Sequence, residues 1–330
     1  MPYLIAEIGG NHEGDFEYAL KLTDLALQSG ADAVKFQIYT GDTLVSSVES
    51  PQRNQHFKKF ELTNEQHIQL AKKVIDAGKD YSASVWDVDA LEWIDPYMSF
   101  YKIGSGDLTA YPVLNVTAKK RKPMVISTGL ASEAEVIHTV EYIESLDEFY
   151  KKPENLSVLQ CTSMYPIADS DANLSVMHRF KELFDHPIGY SDHTEGTAAL
   201  ETAVAMGAEI LEFHFTDSRE NRSFRDHKVS LTCDEVLQLK EKIKQIKAFQ
   251  GSPTKMPLGI EIDNEHDVTF RRAVYPNRDL LNGEVLKASD LTVLRPCHGI
   301  DARDFDKVVG KKLLQDVGKH QKLEWNMLAN

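Results

Sequence analysis

Eight short apolar runs, each followed by a segment of helical periodicity, constrain the fold of this chain more than any other feature. The runs have strand length, and the segments between them are long enough for one helix each. The runs lie near Tyr3–Ile8, Ala33–Ile38, Tyr81–Val85, Phe100–Gly104, Met124–Ser127, Ser157–Gln160, Ile188–Ser191 and Glu209–Phe215, and the clearest helical patterns at Phe16–Gln28, Glu65–Ala77, Glu133–Ser145 and Ala198–Met206. This alternation predicts an α/β fold, a closed (β/α)₈ or TIM barrel of ~250 residues.

The end of the barrel and a second domain are predicted from the residues that follow. A capping box at Thr232–Glu235 precedes the last long helix, and Gly251 with Pro253 ends it. The next segment lacks periodicity, and beyond it short apolar runs alternate with turns. We therefore expect a barrel at 1–250, a linker at 251–267 and a small β-rich module at 268–330.

Composition excludes several classes of function. The net charge of −14 argues against a general nucleic-acid or anionic-membrane partner, while a few buried lysines could still bind a small anion. Three widely spaced cysteines argue against disulfides and a thiolate zinc site. No apolar run approaches the ~18 residues of a membrane span, and the chain opens on a strand pattern rather than a signal sequence. A cytoplasmic enzyme is expected.

Two histidines end two consecutive predicted strands, His193 after the seventh and His214 in the eighth. One histidine at a strand end is more often a hydrogen-bonded structural residue than a ligand. A pair at equivalent places on adjacent strands predicts a shared divalent metal, with positions left open for water and substrate.

Two lysines inside predicted strands, Lys35 and Lys102, suggest an anion site. Ser105 and Ser127 stand beside glycine-rich turns, where hydroxyl and backbone N–H groups can bind phosphate or carboxylate. A single buried lysine is usually ion-paired, and Glu7, Asp107 and Glu212 could be plain partners. The same carboxylates could instead transfer protons or support a metal ligand, and the sequence leaves both roles open.

Taken together, these motifs resemble the sialic acid synthase family, whose members condense phosphoenolpyruvate with an amino sugar to give a nine-carbon 2-keto acid. The matching segments are Ile5–Gly9, Asn11–Gly14, Val34–Gln37, Tyr101–Asp107, Ser127–Gly129, Cys161–Pro166, Ser191–Thr194 and Glu212–Thr216. In the tail, Asn282–Leu286 and Leu294–Pro296 are similar to the antifreeze-like SAF (β-clip) domain of these synthases. The resemblance covers nearly the whole chain.

The resemblance implies a role for each matching residue. His193 and His214 would bind Mn²⁺ or Mg²⁺, which would polarise the sugar aldehyde, and Glu7, Asp107 and Lys102 would be catalytic. Phosphoenolpyruvate would contact Lys35, Lys102, Ser105, Ser127, Ser163 and Ser191. The sugar would contact Gln37, Tyr165, Asp226 and Arg295, the last reaching the partner's barrel in a domain-swapped homodimer.

Several positions depart from the pattern of the family. Ser84-Val85-Trp86-Asp87 stands where Ser-Thr-Pro-Phe is frequent, and Cys297 where glycine is frequent. Ser163 replaces an asparagine of some members, and Asp107 a glutamate of many. The acceptor therefore stays open between N-acetylmannosamine and a diacetamido-trideoxyhexose of the legionaminic or pseudaminic type.

Two other functions remain open at this stage. A buried lysine is also the nucleophile of a Schiff-base pyruvate aldolase, which needs no metal, although the paired histidines count against it. The chain could also be a non-catalytic sugar-binding protein that uses the antifreeze-like module as its binding surface.

Overall fold

A computed structural model describes residues 1–329, which form two compact units divided at Gly251. The first unit contains eight parallel strands that pair in sequence order and close into a barrel. They are β1 Tyr3–Gly9, β2 Ala33–Ile38, β3 Asp80–Val85, β4 Phe100–Ile103, β5 Met124–Ser127, β6 Leu156–Cys161, β7 Ile188–Asp192 and β8 Ile210–His214. The predicted (β/α)₈ barrel is confirmed.

Helices follow the strands and cover the barrel. They are α1 Phe16–Gln28, α2 Gly41–Leu44, α3 Pro51–Lys59, α4 Asn64–Asp76, α5 Leu91–Ile94, α6 Tyr111–Ala118, α7 Glu133–Leu146, α8 Val176–Leu183, α9 Ala198–Ala205, α10 Asp226–Val229 and α11 Cys233–Gln250. The predicted capping box is present, because the backbone N–H of Thr232 donates to Glu235 Oε2 at 2.8 Å. Within residues 1–329, no helix has both the length and the apolar character needed to cross a bilayer.

The barrel interior consists of an apolar layer with a polar layer above it. The apolar layer is a cluster of buried side chains from six strands: Ile5, Ala33, Phe100, Val125, Leu159 and Ile210. Side chains two positions apart on a strand share a face. The next inward-facing residues are therefore Glu7, Lys35, Lys102, Ser127, Cys161 and Glu212. Alternation along each strand thus aligns polar side chains at the carboxyl-terminal end of the barrel, where the sites of this fold lie.

Gly189 is the β7 residue at the level of the apolar layer, and a side chain would not fit there. A Cβ atom built on Gly189 would lie 2.3 Å from the carbonyl oxygen of Ile210 and 2.6 Å from Leu159 Cδ2. Any larger residue would push β6 and β8 apart. The glycine therefore keeps Ser191, two positions further on, close to β8.

The second unit begins at Ser252 and has its own small core. It contains the helices α12 Gly259–Asp263, α13 His266–Thr269 and α14 Phe305–Val308, and an antiparallel pair of strands, β9 Ala273–Pro276 and β10 Leu291–Leu294. The core includes Val274, Leu280, Leu286, Ile300, Leu313 and Leu323. Helices α12 and α13 occupy the segment for which the sequence predicts an irregular linker.

A buried histidine on α4 makes the stability of the barrel depend on pH. Burial lowers the pKa of His67 to about 3, so the folded chain leaves this imidazole neutral while the unfolded chain protonates it near pH 6.5. The free energy of unfolding should therefore fall by about 1.4 kcal/mol per pH unit from this residue alone, below pH 6.5 and towards the folded pKa.

Urea unfolding of wild type and His67→Leu at pH 7 and pH 5 measures this contribution. The wild type should lose about 2 kcal/mol more than the variant between the two pH values. His178→Leu is the matched control, because His178 is exposed on α8. Equal losses in wild type and His67→Leu would contradict the prediction.

Candidate active site

A cavity of about 1220 Å³ opens at the carboxyl-terminal ends of the barrel strands. Thirteen of the fourteen predicted site residues line it: Glu7, Lys35, Gln37, Lys102, Ser105, Asp107, Ser127, Ser163, Tyr165, Ser191, His193, His214 and Asp226. The fourteenth, Arg295, belongs to the second unit, where it is exposed and its guanidinium lies 5.3 Å from the ring centroid of Phe270. The roles assigned to these residues stay predictions.

Two lysines and two glutamates form a buried ionic network at the base of the cavity. Glu212 joins the lysines, because its Oε1 lies 3.4 Å from Lys35 Nζ and its Oε2 lies 3.3 Å from Lys102 Nζ. Lys35 Nζ also donates to Glu7 Oε2. Strand register explains one of these pairs, since Glu7 and Lys35 are partners in the β1–β2 ladder.

The pKa values of the two carboxyl groups in the network are shifted in opposite directions. Burial raises the pKa of Glu7, despite the opposing effect of Lys35. Burial also acts on Glu212, but Lys102, Lys35 and the hydrogen bond from Ser191 outweigh it and lower that pKa to about 2. Two carboxyl groups with separated pKa values suit different tasks. Glu212 stays ionised between the lysines, and Glu7 is the group suited to carrying a proton.

Lys102 and three serines lie on one side of the cavity and form a candidate anion site, which we call the anion-binding side. Lys102 Nζ donates to Ser127 Oγ at 2.7 Å, and Ser191 Oγ donates to Glu212 Oε2 at 2.7 Å. The N–H of Gly129 donates to Ser105 Oγ at 3.0 Å. An ammonium with neighbouring hydroxyls and backbone N–H groups is the combination that binds phosphate or carboxylate.

Gly129 leaves space for this side of the cavity, so Gly129→Ala should impair anion binding. A Cβ atom at this position would lie 2.7 Å from Ser105 Oγ and 3.0 Å from Ser163 Cβ, so both serines would have to move. We expect the KM for the anionic substrate to rise about tenfold to a hundredfold, as for other misplaced binding groups.

The matched control for this variant is Gly106→Ala. Gly106 lines the cavity, and nothing lies within 4 Å of a Cβ atom built there. Steady-state kinetics of both variants checks the prediction. An unchanged KM in Gly129→Ala, or an equal rise in Gly106→Ala, would show that crowding of the serines has no part in binding.

His193 and His214 lie side by side, with ring centroids 5.3 Å apart. Burial lowers the pKa of both, which keeps the imidazoles neutral. His193 Nδ1 lies 2.7 Å from the carbonyl oxygen of Thr162, which leaves its Nε2 with a free lone pair. His214 Nδ1 is buried without a hydrogen-bond partner, 3.9 Å from Asp226 Oδ2.

This pair fits a divalent cation with incomplete protein coordination. Neutral imidazoles are good ligands for such ions, and the carbonyl that orients His193 is a frequent outer partner of a metal-bound histidine. Within residues 1–329, no three His, Cys, Asp or Glu side chains are grouped closely enough to enclose an ion by themselves. Water and substrate would therefore supply the remaining ligands.

A sequence model of the NeuB family matches residues 22–255, and one of the SAF domain matches residues 271–329. The chain belongs to the NeuB family. It is an enzyme of the sialic acid synthase type, as its resemblance to that family implied.

The relatives are similar over almost their whole length. The N,N'-diacetyllegionaminic acid synthase of Legionella pneumophila is 34% identical, over 98% of this chain and 93% of its own. The human N-acetylneuraminate-9-phosphate synthase is 32% identical, over 99% and 93%. The structure of the sialic acid synthetase of Leptospira borgpetersenii, in complex with citrate, superposes with a TM-score of 0.74 at 29% identity, over 81% of this chain and 91% of the other.

The sequence did not assign Glu212 or the wall of the cavity to the site. The sequence leaves Glu212 open between a plain partner of the lysines and a functional carboxylate, and in the structure it contacts both lysines. Its position two residues before His214 on β8 was the signal, because both must face the barrel interior. Cys161, Trp86, Glu13 and Phe224 also line the cavity. Glu13 and Cys161 lie in segments that match the family, and Trp86 is a departure from it, but the sequence assigns none of the four to the site and does not single out Phe224.

Proposed function

We propose that this enzyme condenses phosphoenolpyruvate with an N-acylated amino sugar in its aldehyde form, with water, to give a nine-carbon 2-keto sugar acid and phosphate. The observation that carries the proposal is the network of Lys35, Lys102, Glu7 and Glu212 beside paired neutral histidines in one cavity. The relatives supply the class of reaction, since each is named for a sialic or legionaminic acid product.

The reaction forms one C–C bond and one C–O bond from water, and it breaks the C–O bond between C2 and phosphate. C3 of phosphoenolpyruvate attacks the aldehyde carbon, water adds at C2, and the resulting tetrahedral carbon expels phosphate. Lys102, with Ser105 and Ser127, holds the phosphate and carboxylate groups, so that C3 faces the sugar. Lys35 is paired with both glutamates and keeps Glu212 ionised, which leaves Glu7 to deliver a proton to the oxygen that becomes a hydroxyl.

We also propose a divalent cation, Mn²⁺ or Mg²⁺, between His193 and His214. Such an ion would act as a Lewis acid towards an oxygen of the acceptor. The support is the buried, unpartnered Nδ1 of His214 and the neutral state of both rings. Asp226 would be near enough to orient His214 or a water molecule.

Phosphate release from phosphoenolpyruvate tests the proposal. The purified protein is assayed with Mn²⁺ and with N-acetylmannosamine, 2,4-diacetamido-2,4,6-trideoxyhexoses or no sugar. Sugar-dependent release is expected, with loss after EDTA treatment and in His214→Ala. Metal-loaded, folded protein that releases no phosphate with any acceptor would refute the synthase.

A Schiff-base aldolase has one observation in its favour, because burial lowers the pKa of Lys102. Borohydride reduction in the presence of pyruvate would attach the three carbons of pyruvate to that lysine. Mass spectrometry separates the two reactions. We expect no adduct, since Lys102 Nζ donates to Ser127 Oγ and lies 3.3 Å from the Glu212 carboxylate, whose negative charge opposes the effect of burial and favours the ammonium form.

A further inference from the structure

Six aromatic side chains form a continuous surface along one side of the cavity, which we call the aromatic wall. In order of contact they are Trp86, Tyr39, Phe57, His56, Phe60 and Phe224, with successive ring centroids 4.6 to 5.7 Å apart. All of them except Tyr39 line the cavity. The wall is therefore a feature of the site rather than of the core beneath it.

The wall and the anion-binding side lie on different parts of the cavity rim because of the order of the strands. The residues of the wall follow β2, β3 and β8 or lie on α3 and directly after it, whereas Lys102, Ser127 and Ser191 belong to β4, β5 and β7. In a closed barrel these two groups occupy different arcs of the rim. The substrate part that meets the wall is thus the end of the acceptor remote from phosphoenolpyruvate.

A carboxylate borders the wall. Glu13 lines the cavity and has a left-handed backbone conformation, with φ of 52°, which is uncommon for a residue with a side chain. Its Oε1 lies 3.2 Å from Nε2 of buried His227, whose Nδ1 lies 2.8 Å from Thr216 Oγ1. This chain of contacts orients Glu13, so that the other carboxylate oxygen is available to a hydrogen-bond donor.

The loop that carries Glu13 packs directly on the wall. A Cβ atom built on Gly10 would lie 3.2 Å from Phe224 Cε1 and 3.5 Å from Phe60 Cδ1, so the glycine allows the loop to approach both rings. The acceptor end therefore meets apolar rings and one carboxylate together. A phosphate there would be repelled by Glu13 and would lose its hydration against the rings.

Cationic groups on the same rim do not compensate for the repulsion between Glu13 and a phosphate. Arg225 is committed to Asp226, at 3.2 Å, and to the ring of Tyr165, 4.6 Å from its centroid. Arg53 and Lys59 line the cavity from α3 but are exposed, so solvent screens their charges more than that of the partly buried Glu13.

We infer that the acceptor is an uncharged deoxy sugar with two acylamino groups, of the 2,4-diacetamido-2,4,6-trideoxyhexose class, rather than N-acetylmannosamine or a phosphorylated sugar. This inference rests on the proposed function. The C6 methyl and the acetyl methyl at C4 pack on the aromatic wall, and the amide N–H at C4 donates to Glu13. A hydroxymethyl group would place its hydroxyl against Phe60 and Phe224, whose rings offer it no hydrogen-bond partner.

Binding and turnover are measured separately, so that the inference and the proposed function can fail independently. Isothermal titration calorimetry uses protein with Mn²⁺ and saturating phosphoenolpyruvate. The titrants are the alditols of a diacetamido-trideoxyhexose, N-acetylmannosamine and N-acetylmannosamine 6-phosphate, which lack the aldehyde and cannot react. We expect the first to bind about tenfold to a hundredfold more tightly than the other two.

Two variants test whether Phe224 and Glu13 cause the preference for the diacetamido compound. Phe224→Ala should weaken the diacetamido compound about tenfold or more, and Glu13→Gln should reduce the discrimination against the 6-phosphate. Phe249→Ala is the matched control, because Phe249 is exposed at the end of α11 and lies outside the cavity lining. Equal binding of the three alditols, tighter binding of the phosphate or no binding of the diacetamido compound overturns the inference, whether or not the aldehydes are turned over.

Discussion

Lys102→Met should lower kcat/KM for phosphoenolpyruvate by about 10²-fold to 10³-fold, because it removes the ammonium that the anion would contact. The same change leaves Glu212 buried with Lys35 as its remaining cationic partner, at 3.4 Å. Breaking a buried ion pair from one side commonly destabilises a protein by about 3–5 kcal/mol. A loss of activity in this variant could therefore reflect poor folding as well as poor binding.

The double variant Lys102→Met/Glu212→Gln separates the two effects. It removes both charges, so the free energy of unfolding should recover a large part of the loss seen in Lys102→Met. The affinity for phosphoenolpyruvate should stay low, because the ammonium is still missing. Urea unfolding and calorimetric titration of phosphoenolpyruvate measure the two quantities. If affinity recovered together with stability, Lys102 would be a structural partner of Glu212 and not a substrate ligand.

Glu7→Gln should reduce kcat by about 10²-fold to 10⁴-fold, the usual contribution of a positioned proton donor or acceptor. Glutamine has the shape of glutamate and can still accept the hydrogen bond from Gln37, which is 2.9 Å long in the wild type. It cannot deliver a proton. Single-turnover kinetics, combined with the equilibrium affinity for phosphoenolpyruvate, would assign the loss to the chemical step if that affinity changes only a few-fold.

Glu209→Gln makes the same chemical change next to β8 and should leave kcat unchanged, because Glu209 is exposed. If Glu7→Gln retained most of the wild-type kcat, Glu7 would be no more than the ion-pair partner of Lys35. A large rise in the dissociation constant of phosphoenolpyruvate, with kcat kept, would give Glu7 a binding role through Lys35.

The amino-acid sequence was sufficient to predict the barrel and to name thirteen residues that line one cavity. Apolar runs of strand length and amphipathic helices are local patterns, and their alternation permits few topologies. The inward position of Lys35, Lys102 and His214 also follows from local alternation, since each lies an even number of residues from an apolar interior residue on its own strand. Capping residues such as Thr232 fixed helix ends for the same local reason.

The function of side chains in loops could not be obtained from local patterns. Phe60, Trp86 and Phe224 are far apart in the chain, and no periodicity relates them. Their rings belong to one surface only because barrel closure brings β8 next to β1. The contact between Glu13 and His227 could not be predicted from local patterns either, because the two residues are 214 positions apart in the chain.

The sequence by itself determined the strands and long helices of the barrel, their order and the identity of the polar residues at the strand ends. The tertiary structure alone decided which of those residues act on one another: that Glu212 joins two lysines, that Glu7 and Glu212 have separated pKa values, and that aromatic rings bound one side of the cavity. The physical reason is that secondary structure follows from neighbours in the chain. Electrostatics and packing depend instead on distances between residues that only the closed barrel brings together.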